Sequence, residues 1–166
     1  DLLRATGVVR PVLVGHSDGG SIALIHAGAG LAVAGLVLLA PHVFVEDVSI
    51  ASIAAAGRAY AQTDLRTRLA RYHDDVDSAF RGWNDIWLHP DFRAWNIEDA
   101  LPGIRCPVLA IQGEDDEYGT MEQVRRIAAA VPDTDVLELA DCRHSPHRDQ
   151  PEAVIDAITR FVDRVV

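Results

Sequence analysis

The 166-residue chain has no basic cluster, no long apolar run and almost no cysteine, and each absence excludes a class of protein. Acidic residues outnumber basic ones by 25 to 15, which gives a formal net charge of −10. This balance predicts no nucleic-acid partner. The longest apolar stretch, residues 27–41, is interrupted by glycines and is too short for a membrane span. We therefore expect no membrane partner either.

The chain contains only two cysteines, Cys106 and Cys142. The predicted strands place them roughly 15 Å apart or more, at about 3.3 Å per residue. A disulfide needs Cα atoms within about 7 Å, so we expect two free thiols. The first residues show neither the basic nor the apolar region of a secretory signal, and a cytoplasmic location is expected. The histidines lack the spacing of a metal site, so no metal is expected.

The residues that are present are typical of a globular protein, since 49% are hydrophobic and 24% are charged. Short apolar runs alternate with helical patterns, which predicts the α/β class with a parallel sheet. The runs typical of strands buried on both faces are Pro11–Val14, Gly35–Ala40, Pro107–Gln112 and Asp135–Ala140. The helices expected after them are Gly19–Ala29, Thr120–Ala130 and Pro151–Val166. The chain is long enough for one domain with a sizeable core.

A different segment, residues 44–101, separates the second strand from the third and is predicted to form several short helices. It contains all three tryptophans of the chain, and Trp83 and Trp87 are our candidates for substrate binding. A helical insertion at the carboxyl edge of a parallel sheet is where a lid over a pocket would lie. Alternatively, these aromatic side chains only pack the insertion. The sequence therefore predicts three parts. Residues 1–43 and 102–166 form the core, and residues 44–101 form a lid.

The run Gly15–Gly20 reads Gly-His-Ser-Asp-Gly-Gly and lies between a predicted strand and a predicted helix. This is the Gly-x-Ser-x-Gly pattern of a nucleophile elbow, in which a strained turn exposes the serine hydroxyl. We expect side chains at Gly15 or Gly19 to collide with the packed turn. The pattern therefore predicts Ser17 as a nucleophile.

A serine hydroxyl needs a histidine as base and a carboxylate that orients the histidine. The third strand is followed by the acidic run Glu114–Glu117, in which Asp116 is the favoured acid and Asp115 the alternative. The fourth strand is followed by His144, which we favour over His147 as the base. The predicted catalytic residues are thus Ser17, Asp116 and His144.

Further residues beside the predicted nucleophile are candidates for binding. The backbone N–H of Asp18 is the expected donor to an oxyanion, whereas its side chain is expected to cap the helix or form a salt bridge. His16 and His42 are candidates for lining the mouth of the pocket. The alternative for both histidines is a structural role, packed or exposed.

Together, the Gly15–Gly20 elbow, the strand end at Gly113–Asp116 and the His144 loop resemble the α/β-hydrolase superfamily along the whole chain. The elbow and the predicted lid are similar to small-ester and meta-cleavage-product hydrolases, including pimeloyl-ester carboxylesterases. The resemblance implies cofactor-free hydrolysis of a small carboxylic ester, or of a related acyl or C–C bond, through an acyl-enzyme. The implied partner is a small-molecule ester or acyl substrate. The oligomeric state is not predicted.

The chain departs from this family in one respect, because the family has several strands and helices before the elbow. We expect a partial α/β-hydrolase fold in which the missing part would carry a second oxyanion donor. The elbow strand then becomes an unpaired edge of a four-stranded sheet. Two alternatives to an active esterase follow: a non-catalytic, hydrolase-like binding module, or an inactive fragment of a longer hydrolase.

Overall fold

A computed structural model describes residues 2–166 and divides the chain into two compact units. The first unit runs to Phe44 and resumes at Asn96–Val166, and the second is Val45–Trp95. Residues 96–101, which the sequence prediction assigned to the insertion, belong to the first unit. Within the first unit an isolated antiparallel bridge pairs Phe44 with Asn96, where the chain leaves and returns.

The first unit is built on a sheet of four parallel strands in the order β1-β2-β3-β4. The strands are β1 (Val12–His16), β2 (Gly35–Leu39), β3 (Val108–Gly113) and β4 (Thr134–Leu139). Because all the strands are parallel, their carboxyl ends meet at one edge of the sheet. The predicted architecture, an α/β fold with four parallel strands flanked by helices, is confirmed.

The described residues also form α-helices, most of which follow a strand. They are α1 (Leu2–Thr6), α2 (Asp18–Gly28), α3 (Asp47–Gln62), α4 (Leu65–Leu69), α5 (Val76–Trp87), α6 (Glu122–Ala130), α7 (Pro146–Asp149) and α8 (Pro151–Val165). Two 3₁₀ helices lie at Pro90–Ala94 and Glu98–Gly103. Within residues 2–166, none of the helices combines the length and the apolarity that crossing a membrane requires.

Two apolar layers hold the first unit together, one on each face of the sheet. Successive side chains of a strand point to opposite faces, so Leu36 and Leu38 of β2 pack in one layer and Val37 and Leu39 in the other. Helices α2 and α6 contribute to the first layer, and α8 contributes to the second. The central strands β2 and β3 are buried along their whole length, as predicted.

The two outer strands differ from the prediction that all four would be buried on both faces. Val14 of β1 is 61% exposed, and β4 has only one buried residue, Leu139. Each outer strand has one neighbour in the sheet within residues 2–166, so less of its surface is covered. The prediction that β1 forms an unpaired edge is therefore confirmed for this part of the chain.

The second unit consists of α3, α4, α5 and the first 3₁₀ helix. Asn84 of α5 donates to the backbone oxygen of Ile53 in α3 at 2.8 Å, which joins the two longest helices of the unit. Tyr60 and Arg66 both donate to the carboxylate of Asp77. The Arg66 guanidinium in particular holds the pKa of Asp77 well below its usual range.

Candidate active site

Three strands of the sheet end in segments that carry the predicted catalytic side chains. Ser17 directly follows β1, Asp116 lies in the loop after β3, and His144 lies in the loop after β4. The parallel arrangement brings all three loops to the same edge of the sheet. Residues separated by 127 positions in sequence therefore come within hydrogen-bonding distance.

The turn after β1 holds Ser17 in a backbone conformation that residues other than glycine rarely adopt, with φ 55° and ψ −124°. The Ser17 N–H donates to Leu39 O at 2.9 Å, and the Ser17 carbonyl accepts from Gly20 N at 2.8 Å. These bonds fix the turn to β2 on one side and to the first turn of α2 on the other. Such conformations typically carry strain of about 1–3 kcal/mol and occur often at functional sites.

The sequence predicts that side chains at Gly15 and Gly19 would collide with the packed turn, and the structure bears this out at only one of the two. A Cβ on Gly15 would lie 2.3 Å from Gly19 O, so the close approach of the two segments requires glycine there. A Cβ on Gly19 would meet nothing within 4 Å, and the prediction of a collision at Gly19 is wrong. Gly20 has the tighter surroundings, because its Cβ would lie 3.0 Å from Cβ of Pro41.

The carboxylate of Asp116 is fully buried and is surrounded by donors. Gln112 Nε2 donates to Oδ2 at 2.7 Å, and the Tyr118 backbone N–H donates to Oδ1 at 2.8 Å. A second bond from Gln112 Nε2 reaches Gly119 O at 2.9 Å, so this amide fixes both the acid and its loop. Asp115, the alternative acid, is exposed. The structure thus brings Asp116, and not Asp115, to the histidine.

The imidazole of His144 lies between the acid and the serine. Its Nδ1 is 2.9 Å from both carboxylate oxygens of Asp116, and its Nε2 is 3.0 Å from Ser17 Oγ. An ionised carboxylate can only accept hydrogen bonds, so Nδ1 carries the proton. The lone pair of Nε2 then faces the serine hydroxyl, which is the arrangement that proton abstraction requires.

Further contacts hold the loop that carries His144. The His144 N–H donates to Glu117 Oε2 at 3.3 Å, and Arg143 pairs with Glu117 at 3.0 Å. Gly113 at the end of β3 allows this loop to approach, because a Cβ there would lie 2.1 Å from Cys142 O. The thiol of Cys142 is buried, and burial together with nearby Asp149 raises its pKa to about 11. Cys142 is therefore a packed thiol and not a reactive one.

Other rings surround the His144 imidazole. Ring centroids of Tyr118, His16 and His42 lie 4.7, 5.0 and 5.7 Å from that of His144. His147, which the sequence considered as an alternative base, lies 5.0 Å from His16 by the same measure. Burial, and then the charge of Glu117, raises the pKa of Tyr118. Burial lowers the pKa of His16.

The remaining predicted site residues have clear positions in the fold. Asp18 is the first residue of α2, so its N–H lies at the positive end of the helix dipole. Trp83 and Trp87 belong to the second unit. There, Trp83 meets Phe80 edge-on at 5.7 Å, and Trp87 meets Phe92 at 5.1 Å. Their assignment to substrate binding stays a prediction.

Sequence reasoning missed three residues that contact the predicted acid or histidine: Gln112, Glu117 and Tyr118. Gln112 is the penultimate residue of β3 and is fully buried, which is unusual for a glutamine. A polar residue at the end of an apolar strand, four positions before an acid, was the available signal. Glu117 gave no signal beyond its place in an acidic run.

Within residues 2–166, no group of three or more histidine, cysteine or acidic side chains is arranged to hold a metal ion. The site offers a hydroxyl, an imidazole and a carboxylate in series. Together these groups can make the hydroxyl nucleophilic.

Comparison with solved structures identifies chains of the same fold. Esterase RhEst1 from Rhodococcus sp. ECU1013 is 20% identical with a TM-score of 0.69, over 99% of this chain and 70% of that chain. A thermophilic esterase from Thermogutta terrifontis is 22% identical with a TM-score of 0.68, over 99% and 69%. The meta-cleavage product hydrolase CumD from Pseudomonas fluorescens IP01 is 16% identical with a TM-score of 0.71, over 99% and 69%.

At these identities the structural similarity shows the fold alone. No curated protein sequence matches the chain. The sequence profile described as the alpha/beta hydrolase family, however, matches residues 1–157. Since this match covers nearly the whole chain and agrees with the fold, the chain belongs to the alpha/beta hydrolase family.

Proposed function

We propose that the protein is a serine hydrolase that cleaves a small carboxylic ester, or a related acyl or C–C bond, through an acyl-enzyme. The observation that carries this proposal is the continuous series of contacts from the Asp116 carboxylate through His144 to Ser17 Oγ. Both contacts are about the length of a good hydrogen bond. The burial of Asp116 supports it, because a buried carboxylate orients and stabilises an imidazolium more strongly than an exposed one.

In the proposed reaction, Ser17 Oγ attacks the acyl carbon of the substrate while its proton passes to His144 Nε2. The imidazolium that forms is stabilised by Asp116 through Nδ1. His144 then gives the proton to the leaving alcohol as the bond between acyl carbon and leaving group breaks. Water then attacks the acyl carbon while its proton passes to the same Nε2. The bond between the acyl carbon and Ser17 Oγ breaks, His144 returns the proton to Oγ, and the acid is released.

The negative charge that develops on the acyl oxygen needs donors close to Ser17. We assign this role to the backbone N–H of Asp18, the first residue of α2. The positive end of the α2 dipole adds to the stabilisation of a nearby anion, by about 0.3–1 kcal/mol at an exposed position. The contribution of such a donor to catalysis is typically about 100- to 1000-fold.

The class of substrate rests on the fold and on the chemistry of the site. Two of the similar structures described above are esterases and one is a meta-cleavage product hydrolase, which supports acyl or C–C bond cleavage. A cytoplasmic location and a small-molecule substrate belong to this proposal.

An alternative candidate is a hydrolase-like module without turnover, and the open edge of β1 favours it. The Ser17 turn is attached to a strand with one neighbour in the described sheet. A strand held on one side only is less firmly fixed than a central strand. Such a module would bind an acyl ligand without cleaving it. Alternatively, the chain would be an inactive part of a longer hydrolase.

A fluorophosphonate probe distinguishes these candidates, because it reacts covalently with an activated serine. We expect the 166-residue chain to be labelled at Ser17, with Ser17→Ala and His144→Ala unlabelled and Ser145→Ala labelled normally. Peptide mass spectrometry identifies the modified residue, and circular dichroism shows that each variant is folded. A folded wild-type chain that remains unlabelled would refute the hydrolase proposal and leave the binding module.

A further inference from the structure

His16 makes a hydrogen bond that connects the nucleophile turn to the histidine loop. It is the last residue of β1 and directly precedes Ser17. Its Nε2 lies 2.7 Å from the backbone oxygen of His144, across 128 positions of sequence. A carbonyl oxygen only accepts, so His16 Nε2 is the donor and must carry a proton. The bond therefore fixes both the orientation and the tautomer of this ring.

We propose that His16 is a positioning residue, which holds the His144 loop at a fixed distance from the Ser17 turn. The proposal rests on the function proposed above for Ser17 and His144. It assigns His16 a role different from the pocket-lining role suggested by the sequence.

The bonds around His144 show why this contact is needed. The His144 N–H is held by Glu117, and its ring is held by Asp116, so both contacts come from the loop after β3. They fix the histidine relative to the acid but not relative to the nucleophile. The bond from His16 is made by the strand that carries the serine, and it acts on the backbone of the histidine itself. It thus fixes the position of the His144 backbone relative to the Ser17 turn.

Proton transfer from Ser17 to His144 requires a fixed distance between the two side chains. The distance from His144 Nε2 to Ser17 Oγ is 3.0 Å. A displacement of about 1 Å in a reacting group can reduce turnover by about 100-fold. The β1 strand lies at the open edge of the described sheet and has one neighbouring strand to hold it. A direct bond from β1 to the histidine loop reduces the relative motion of the two segments.

The surroundings of His16 are consistent with a neutral donor and not with a second base. Its Nε2 is occupied as a donor, so that atom cannot accept a proton from a substrate or a water. The charged and titratable groups that act on it are His144, His147 and Asp116. A proton added to His16 would place a positive charge beside the imidazolium that His144 must become, and would oppose the reaction.

Two substitutions separate the hydrogen bond from the bulk of the ring. In His16→Gln the amide Nε2 can occupy the position of the ring Nε2 and donate to His144 O, whereas in His16→Leu the volume is similar and the donor is lost. We expect His16→Leu to reduce kcat for a small ester, and the rate of fluorophosphonate labelling, by about 10- to 100-fold with little change in KM. We expect His16→Gln to stay within about threefold of wild type.

His73→Leu is the matched control, because His73 is exposed and belongs to the second unit. We expect its labelling rate to equal that of wild type. If His16→Leu also equals wild type, or if His16→Gln is as slow as His16→Leu, the hydrogen bond does not position the histidine and the proposal is overturned.

A measurement without turnover keeps this proposal distinct from the proposed function. Hydrogen exchange of the amides in residues 141–150 should be about 10-fold faster in His16→Leu than in wild type and His16→Gln, because the loop loses an anchor. If the wild-type chain is not labelled, the hydrolase function fails, and hydrogen exchange alone then decides whether His16 anchors the loop. Equal exchange in all three proteins overturns the proposal.

Should His16→Leu fail to fold, the ring nitrogens of wild-type His16 provide the test. Nitrogen-15 NMR of the histidine side chains should show His16 with the proton on Nε2 and in slow exchange with water. A proton on Nδ1 instead would mean that the bond to His144 O is not made, and would overturn the proposal.

Discussion

Two regions of the first unit differ in which kind of side chain is buried and which is exposed. At the carboxyl ends of the strands, polar groups are buried and bonded, as shown by the Asp116 side chain with 0% exposure. Along β1, the outer face of α2 and the segment that follows α2, apolar groups are exposed, with Val14 at 61%, Ile22 at 67% and Leu31 at 51%. These residues line an apolar groove of about 960 Å³. We refer to the two regions as the catalytic rim and the open edge.

The difference shows which contacts fix the proposed chemistry. The rim is specified by directional bonds between loops, and the acid and the histidine are held from several sides. The open edge carries the strand of the nucleophile but has apolar side chains that contact solvent. Substitutions at the rim should therefore abolish activity with modest effects on folding, and substitutions of the exposed apolar side chains at the open edge should change stability little.

Replacement of Ser17 should have the largest effect on activity. We expect Ser17→Gly to reduce kcat by roughly 10⁴-fold or more, because the nucleophile is lost. The same change should stabilise the fold by about 1 kcal/mol, because glycine adopts φ 55° without strain. Ester hydrolysis and urea unfolding measure the two effects. A Ser17→Gly variant that is less stable than Ser17→Ala would contradict the assignment of strain to this turn.

Substitutions of the two neighbouring acids, Asp116 and Asp115, should differ in their effect on turnover. We expect Asp116→Asn to reduce kcat by about 10³- to 10⁴-fold, because an amide no longer holds the His144 tautomer with Nδ1 protonated. The matched change Asp115→Asn alters an exposed side chain and should stay within about twofold of wild type. Steady-state kinetics of both variants at the same pH provide the comparison. Equal losses in the two would remove the distinction that the structure makes.

The elbow glycines provide a test of packing at the point where the two regions meet. Gly15→Ala places a Cβ 2.3 Å from Gly19 O, and we expect a loss of about 3 kcal/mol or more in the free energy of unfolding. Gly19→Ala lies within α2 with nothing near its Cβ, and should stabilise the helix by about 0.5–1 kcal/mol. Urea unfolding of the pair measures this. Comparable losses in both variants would restore the original expectation for Gly19.

Much of the rim was predictable from the sequence, because each element is marked locally. Ser17 stands in a short motif between a strand and a helix, and Asp116 and His144 each follow an apolar run. The parallel arrangement of the strands then brings the three loops together. The burial of β2 and β3 on both faces was also predictable, since both are continuous apolar runs.

The contacts that refine the rim were not predictable, because they join residues that no local pattern relates. The bond from His16 to His144 O spans 128 positions, and nothing near either residue indicates it. The partners of Gln112 depend on how the loop after β3 turns back over the strand. The exposure of β4, by contrast, had a local signal, because Asp135 and Glu138 are charged residues that a strand buried on both faces rarely carries.

At the open edge, the comparison predicts that an exposed apolar residue contributes little to stability. Ile22 and Leu24 are both in α2, but Ile22 is 67% exposed and Leu24 is fully buried. We expect Ile22→Gln to change the free energy of unfolding by less than about 0.5 kcal/mol and to reduce aggregation. Leu24→Ala, the buried control, should lose about 2–5 kcal/mol. A large loss in Ile22→Gln would show that this face is covered in solution.

The smallest effect concerns the pH dependence of stability, and it joins the rim to the open edge through His16 on β1. Burial lowers the pKa of His16 below 6.5, against the opposite effects of its bond to His144 O and the Asp116 charge. Well above pH 6.5 His16 is neutral in both states and contributes no pH dependence. As the pH falls below 6.5, the unfolded chain binds this proton first, so the free energy of unfolding decreases until the folded pKa is passed.

His16→Gln removes this titration and leaves the other histidines in place. Urea unfolding at pH 8 and pH 5 should therefore show a larger decrease in the free energy of unfolding for wild type than for His16→Gln. No further control variant is needed, because the glutamine amide preserves the bond to His144 O and the two proteins differ only in proton uptake at position 16. A decrease of equal size in both proteins would mean that His16 is as solvated in the fold as in the unfolded chain. In that case the contact between β1 and the histidine loop would be open to water, and the rim would extend less far toward the edge than the hydrogen bonds indicate.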